Sequence, residues 1–148
     1  MSNHLLHDQD FYAWTNEQAR LLREGRLAEA DIAQIAEEIE SLGKSEKREL
    51  ISRLKVLLLH LLKWQFQPGL RGNSWRATIK VQRRDLTRYL ADNPSLAAQL
   101  PAVMEDAYMS AALLAFGETG LPESAFPAVC PWTYQQAADP SFWPGGTE

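Results

Sequence analysis

One cysteine, Cys130, is all that this chain of 148 residues contains. No internal disulfide framework can exist, and thiol-based stapling is excluded as a source of stability. The opening residues, MSNHLLHDQD, lack a basic stretch followed by an apolar one, so no signal peptide is indicated. Long apolar runs are missing too. The strongest, Val56 to Leu62, is interrupted by His60 and falls far short of the ~20 residues a membrane helix needs. No segment alternates apolar and polar residues over a useful length, which argues against a sheet. Internal repeats are absent. Together these absences lead to the expectation of a cytoplasmic protein with no membrane partner.

Composition is ordinary for a globular chain, 45% hydrophobic and 23% charged, so wholesale disorder is not expected. The length suits one domain over 1–148 with a real core. Charge is unevenly placed. The net value is −4, yet residues 44–88 carry twelve bases and three acids, leaving the remainder strongly acidic. Such asymmetry is either paired within the fold or presented to a partner.

Apolar spacing predicts helices throughout. Residues 1–9 read as a tail. The first helix is expected from about Asp10 to Glu24, with Phe11, Trp14, Ala19, Leu21 and Leu22 on its apolar side. The second runs from about Glu29 to Leu42, with Ile32, Ile35, Ile39 and Leu42 on one stripe. A third, from about Ser45 to Gln65, is apolar over more than half its circumference and is expected at the centre. An unbroken helix over 29–66 would be ~57 Å long, so Gly43 is expected to break or kink it. Ser74 is a good cap for a fourth helix, with Trp75, Ile79, Leu86 and Leu90 inward. Pro101 opens a fifth, ending near Phe116, with Val103, Met104, Ala107, Ala111 and Leu114 inward. The segment 119–148 is rich in proline and aromatics and is expected to strap across the bundle 10–118. It should hold one helical turn near Pro131 to Ala137. The fold class is therefore all-α, an antiparallel bundle of four to five helices with an extended C-terminal strap.

Several strings share an order and spacing: IAEEIESLG, SRLKVLLLHLLKW, then QP, SW, TI and QRR, and finally ETGL and CPWT. In these, from Asp10-Phe11-Tyr12 to Phe142, the chain resembles the bacterial family catalogued as domain of unknown function number 29. The resemblance implies a small all-helical domain and carries over no established activity.

Candidate site residues fall into four groups. Glu37, Glu38 and Glu40 share one turn, and Arg53, His60 and Gln67 repeat every seven residues along a border of the next helix. Carboxylates facing an imidazole across a bundle can hold a transition metal or exchange protons. The Glu-x-x-His pattern of di-iron bundles is missing, however, and a register-setting role for His60 and Arg53 is the competing expectation. Second, Arg76, Lys80, Arg83 and Arg84 share a helical face, with Arg71 in the Gly-flanked loop GLRGNS. A helix start beside such a loop can bind phosphate or a nucleic-acid backbone. No P-loop spacing is present, and a salt-bridged face is the alternative. Third, Gln82 lies in an apolar stripe and must satisfy a buried amide. Fourth, Cys130 would sit at a helix cap if Pro131 opened a helix, making a Cys–His60 nucleophile conceivable. CPWT matches no cysteine-hydrolase signature, and packing is the expected role. His4 and His7 form an i, i+3 pair at a terminus expected to fray.

No catalytic set is complete, and no cofactor is expected. The leading expectation is a non-enzymatic interaction module, docking a protein partner or a second copy through the fourth helix and the Arg71 loop. The alternatives are a metal or acid–base enzyme at Glu37, Glu38, Glu40 and His60, and nucleic-acid binding through Arg71, Arg76, Arg83 and Arg84.

Overall fold

The computed structural model describes residues 3–146. Six α-helices joined by turns make up the fold, with no strand among the described residues. The chain divides between Glu46 and Lys47 into two compact units.

The N-terminal unit begins with a helix where a tail was expected, α1 (Asn3–Gln9). The Asp10 carboxylate then caps α2 (Phe11–Arg23), accepting from the Ala13 N–H at 3.1 Å. A turn leads to Asp31, whose carboxylate accepts from the Gln34 N–H at 3.3 Å. This cap starts α3 at Ile32, not Glu29. Gln18, buried on α2, takes the Asp31 N–H on its side-chain oxygen at 2.7 Å and ties the turn down. Trp14, Gln18 and Leu21 are the buried side chains among this unit's described residues.

α3 runs unbroken from Ile32 to Phe66, which corrects the expected break at Gly43. An interior glycine costs a helix only about 1 kcal/mol relative to alanine, too little to end so long an element. The expected core stripe of its first turns is also corrected. Ile32, Ile39 and Leu42 are exposed, the last two by 62% and 67%. The contacts α3 receives from α1 and α2 arrive at Asp31, Gln34 and Glu38, on another flank.

The C-terminal unit is organised by the second half of α3. Leu50, Leu54, Leu57, Leu58, Leu61, Leu62 and Trp64 are all fully buried, as the apolar pattern predicted. Each such burial is worth about 1.5–3 kcal/mol. Pro68 ends α3 by disfavouring helical backbone before it. α4 (Asn73–Asp92) buries Ile79 and Leu86, and α5 (Leu100–Thr119) buries Val103, Met104, Ala107 and Ala111. α4 starts one residue before Ser74, with Gly72 at the cap position. α5 passes through Gly117 and stops at Gly120, whose φ of +73° is the left-handed geometry that glycine tolerates best. Leu114, expected inward, is 42% exposed.

The strap then crosses this core as expected. Phe126, Trp132, Ala137 and Trp143 are buried, and its one helical turn is α6 (Tyr134–Ala138). Tyr108 on α5 donates its hydroxyl to the Pro127 carbonyl at 2.6 Å. Burial pushes that phenol up to about 12.

Candidate functional site

The glutamate cluster meets a histidine, but not the expected one. Glu38 Oε1 lies 2.7 Å from His7 Nε2, and Asp8 Oδ1 lies 3.1 Å from His7 Nδ1. These bonds, Glu38's first, raise the His7 pKa above its ordinary value. The ring also packs edge-on against Trp14 at 4.7 Å and Phe11 at 5.2 Å. His7 therefore clasps α1 to α3. Its sequence partner, the His4 side chain, lies outside the described residues.

His60 does something different. Its Nδ1 donates to the Val56 carbonyl one turn earlier, at 2.8 Å. Burial lowers its pKa, favouring the neutral ring. The expected meeting of His60 with Glu37, Glu38 and Glu40 is corrected by α3 itself. All four residues ride on one continuous helix, about six turns separating Glu38 from His60, instead of on facing helices. Glu37 and Glu40 are exposed. Among the described residues no group of three or more His, Cys, Asp or Glu gathers as metal ligands would. Arg53 pairs with Glu49 (3.0 Å) and Asp85 (3.6 Å), and Gln67 donates to the Thr119 carbonyl at 3.3 Å.

The basic helix gives one arginine, Arg83, to the strap. Arg83 is only 3% exposed. It donates from Nε to the Ala137 carbonyl (2.8 Å) and from Nη2 to the Phe142 carbonyl (2.6 Å). Its guanidinium also sits 5.3 Å from the Trp143 ring centroid. Burial lowers its pKa, opposed in part by Asp139. Arg71 donates to the Trp64 carbonyl (2.7 Å) and the Pro144 carbonyl (3.3 Å). Gly145 (φ +89°) leaves room for it, since a Cβ there would come within 2.9 Å of Arg71 Nη2. Arg76 donates to Asn73 at 2.7 Å and lies over Trp64. Arg71, Arg76 and Arg83 thus turn their guanidinium groups to acceptors within the protein. Of the four arginines, only Arg84 has an exposed side chain, and it is paired with Asp85 at 3.2 Å. A guanidinium fork suits backbone carbonyls that no helix partner satisfies, which explains why arginine occupies these positions.

Gln82 is half-buried, and its side-chain oxygen is buried without a partner. Cys130 donates to the Trp132 carbonyl at 3.3 Å, and burial raises its pKa. Thr133 caps α6 in the place considered for Cys130, with its hydroxyl accepting from the Gln136 N–H at 3.1 Å. The thiol is therefore not activated by a helix start.

Concave surface lies elsewhere, between α5 and the strap. One furrow of about 810 Å³ is lined by Leu100, Met104, Val129, Cys130, Trp132 and Tyr134. A second hollow of about 650 Å³ follows along α5, lined by Tyr108, Met109, Leu113, Phe126 and Pro127. Their rims are apolar and wet: Met109, Leu113 and Val129 are all more than half exposed.

The model of the family described as domain of unknown function DUF29 matches residues 6–143, nearly the whole chain. The chain belongs to this family. No curated protein and no solved structure matches it. Membership agrees with the resemblance carried by the sequence strings, and the family's function is unknown.

Two DUF29 residues in polar clusters escaped the sequence reading. His7 lies seven residues before Trp14, a helical spacing that puts the two on one face. Lys63 was not singled out. It is buried among leucines, with its ammonium 5.0 Å from the Trp75 ring and 3.4 Å from Glu118. A lysine inside an apolar run was the available signal. What it paired with was not.

Proposed function

We propose that this chain is a non-enzymatic interaction module that holds an apolar segment of a partner protein in the furrow between α5 and the strap. The observation that supports the reading is the apolar rim: Met109, Leu113 and Val129 lie wet beside two adjoining hollows. Large apolar side chains gathered at a concave surface are the usual mark of a docking site. Arg83 of α4 and Arg71 in the loop before it, part of the surface favoured by charge alone, are engaged in holding the strap. The docking face is therefore assigned to α5 and the strap, away from α4.

Affinity capture from the source cell with quantitative readout tests this. A specific partner recovered by the wild-type chain should fall by ~tenfold or more with Val129→Arg or Met109→Arg. It should persist with Arg84→Glu. Unchanged recovery with both furrow variants would sink the reading. Loss with Arg84→Glu, together with steep weakening by salt, would favour the basic helix instead.

A further inference from the structure

The hollows beside α5 carry charge of one sign. Residues 89–148 contain no lysine, arginine or histidine. Both hollows are built from that stretch, so among the described residues neither is lined by a basic side chain. Acids are present at each. Glu105 lines the first and Glu123 the second. Asp106 follows Glu105 on the same turn of α5. Two other acids of the stretch are engaged: Glu118 meets Lys63 at 3.4 Å, and Asp139 accepts the Ser141 N–H at 2.9 Å. Glu105, Asp106 and Glu123 are exposed and form no ion pair among the described residues.

Their spacing sets charge on both sides of the apolar rim. Met109 lies four residues after Glu105 and three after Asp106, one turn along the same face. Leu113 follows one further turn on, in the hollow that Glu123 also lines. Glu105 to Leu113 is ~12 Å of helix. An apolar group seated on Met109 and Leu113 therefore has carboxylates before and after it. Such a groove favours opposite charge at the flanks of its occupant and rejects like charge. The same carboxylates repel a nucleic-acid backbone or an anionic lipid surface.

We infer that the occupant of the furrow is a protein segment whose apolar residues are flanked on both sides by lysine or arginine. The inference rests on the reading of the furrow as a docking site and adds the chemistry of what docks.

Selection of a random peptide display library against the full chain tests it. Enriched peptides should carry apolar residues between flanking Lys or Arg. Measured by fluorescence anisotropy, their affinity should fall ~tenfold or more when Met109→Ser and Leu113→Ser remove the apolar rim without adding charge. It should fall by a similar factor with Glu105→Lys combined with Glu123→Lys. All four positions are exposed, so these variants should keep wild-type helicity by circular dichroism. Peptides with the flanking bases changed to Glu should prefer the charge-reversed chain to the wild type. Enriched peptides that are neutral or acidic, yet are lost with the rim variant, overturn the inference and leave the furrow reading standing. Basic peptides indifferent to the charge reversal do the same. Peptides indifferent to the rim variant sink both, as does a library from which nothing is enriched. A wild-type dimer in sedimentation velocity that the rim variant breaks would give the furrow to a second copy and overturn the inference.

Discussion

Arg83 shows how a cation can be buried with backbone carbonyls as its direct partners and a carboxylate, Asp139, acting only at longer range. Two strap carbonyls and the Trp143 face take the place of water around it. Replacing it with alanine strands those carbonyls and is expected to cost about 2–4 kcal/mol in urea unfolding. Arg83→Lys should recover little, since an ammonium cannot span both acceptors. The two described histidines should respond to pH with opposite signs. His7 titrates above its usual 6.5 because Glu38 and Asp8 favour the charged ring. Its contribution is thus full below pH 6.5 and is lost as pH rises through the folded-state value. His60 titrates below 6.5 because burial favours the neutral ring. The folded state there is penalised as pH falls below 6.5 toward the folded-state value. Ring-proton NMR titration should place the His7 midpoint above 6.5 and the His60 midpoint below it, and His7→Gln should remove the former. A His7 midpoint below 6.5 would contradict the first assignment, and a His60 midpoint above 6.5 the second. None of these partners could be read from sequence. The repeat of Arg53, His60 and Gln67 on one border was visible, but a residue's border position does not say what lies across it.

At the scale of elements, the strap and α3 deviate most from simple helix packing. The strap has little regular structure, so its position depends on anchors. Trp143 supplies the largest, packed on Trp64 at a ring separation of 4.7 Å and under Arg83. Trp143→Ala is expected to cost about 3–5 kcal/mol. It should also open the strap to limited proteolysis before α4 or α5 is cut. Simultaneous loss of all elements would show the strap to be inseparable from the core. The strap's existence was legible, because aromatics that dense are not left in water. The path of α3 was not. The spacing of Ile32, Ile35, Ile39 and Leu42 marks an apolar stripe equally well whether a neighbour covers it or not. Likewise, whether one glycine ends a helix depends on a balance of about 1 kcal/mol that tertiary contacts decide.

At the scale of the whole molecule, the two units have unequal resources. The described residues of the N-terminal unit bury Trp14, Gln18 and Leu21, whereas the C-terminal unit holds a continuous core from Leu50 to Trp143. Amides of α1 and α2 should exchange with deuterium well before those of Leu54–Leu62. Equal protection would mean that the units open together. Among the described residues, no helix is long and apolar enough to cross a membrane.

What the sequence alone determined is the class of fold and its strongest core. The helical period, the leucine-rich half of α3, the proline at its end and the aromatic strap each follow from local spacing and composition. Tertiary structure alone decided which polar groups meet. It joined His7 to Glu38, kept His60 from Glu37, Glu38 and Glu40, and made Arg83 of the basic helix an anchor for the strap. The reason is physical: a side chain's periodicity assigns it a face, but hydrogen bonds and ion pairs form over a few ångströms between residues far apart in the chain. The same limit applies to function, which depends on what the exposed face of α5 contacts.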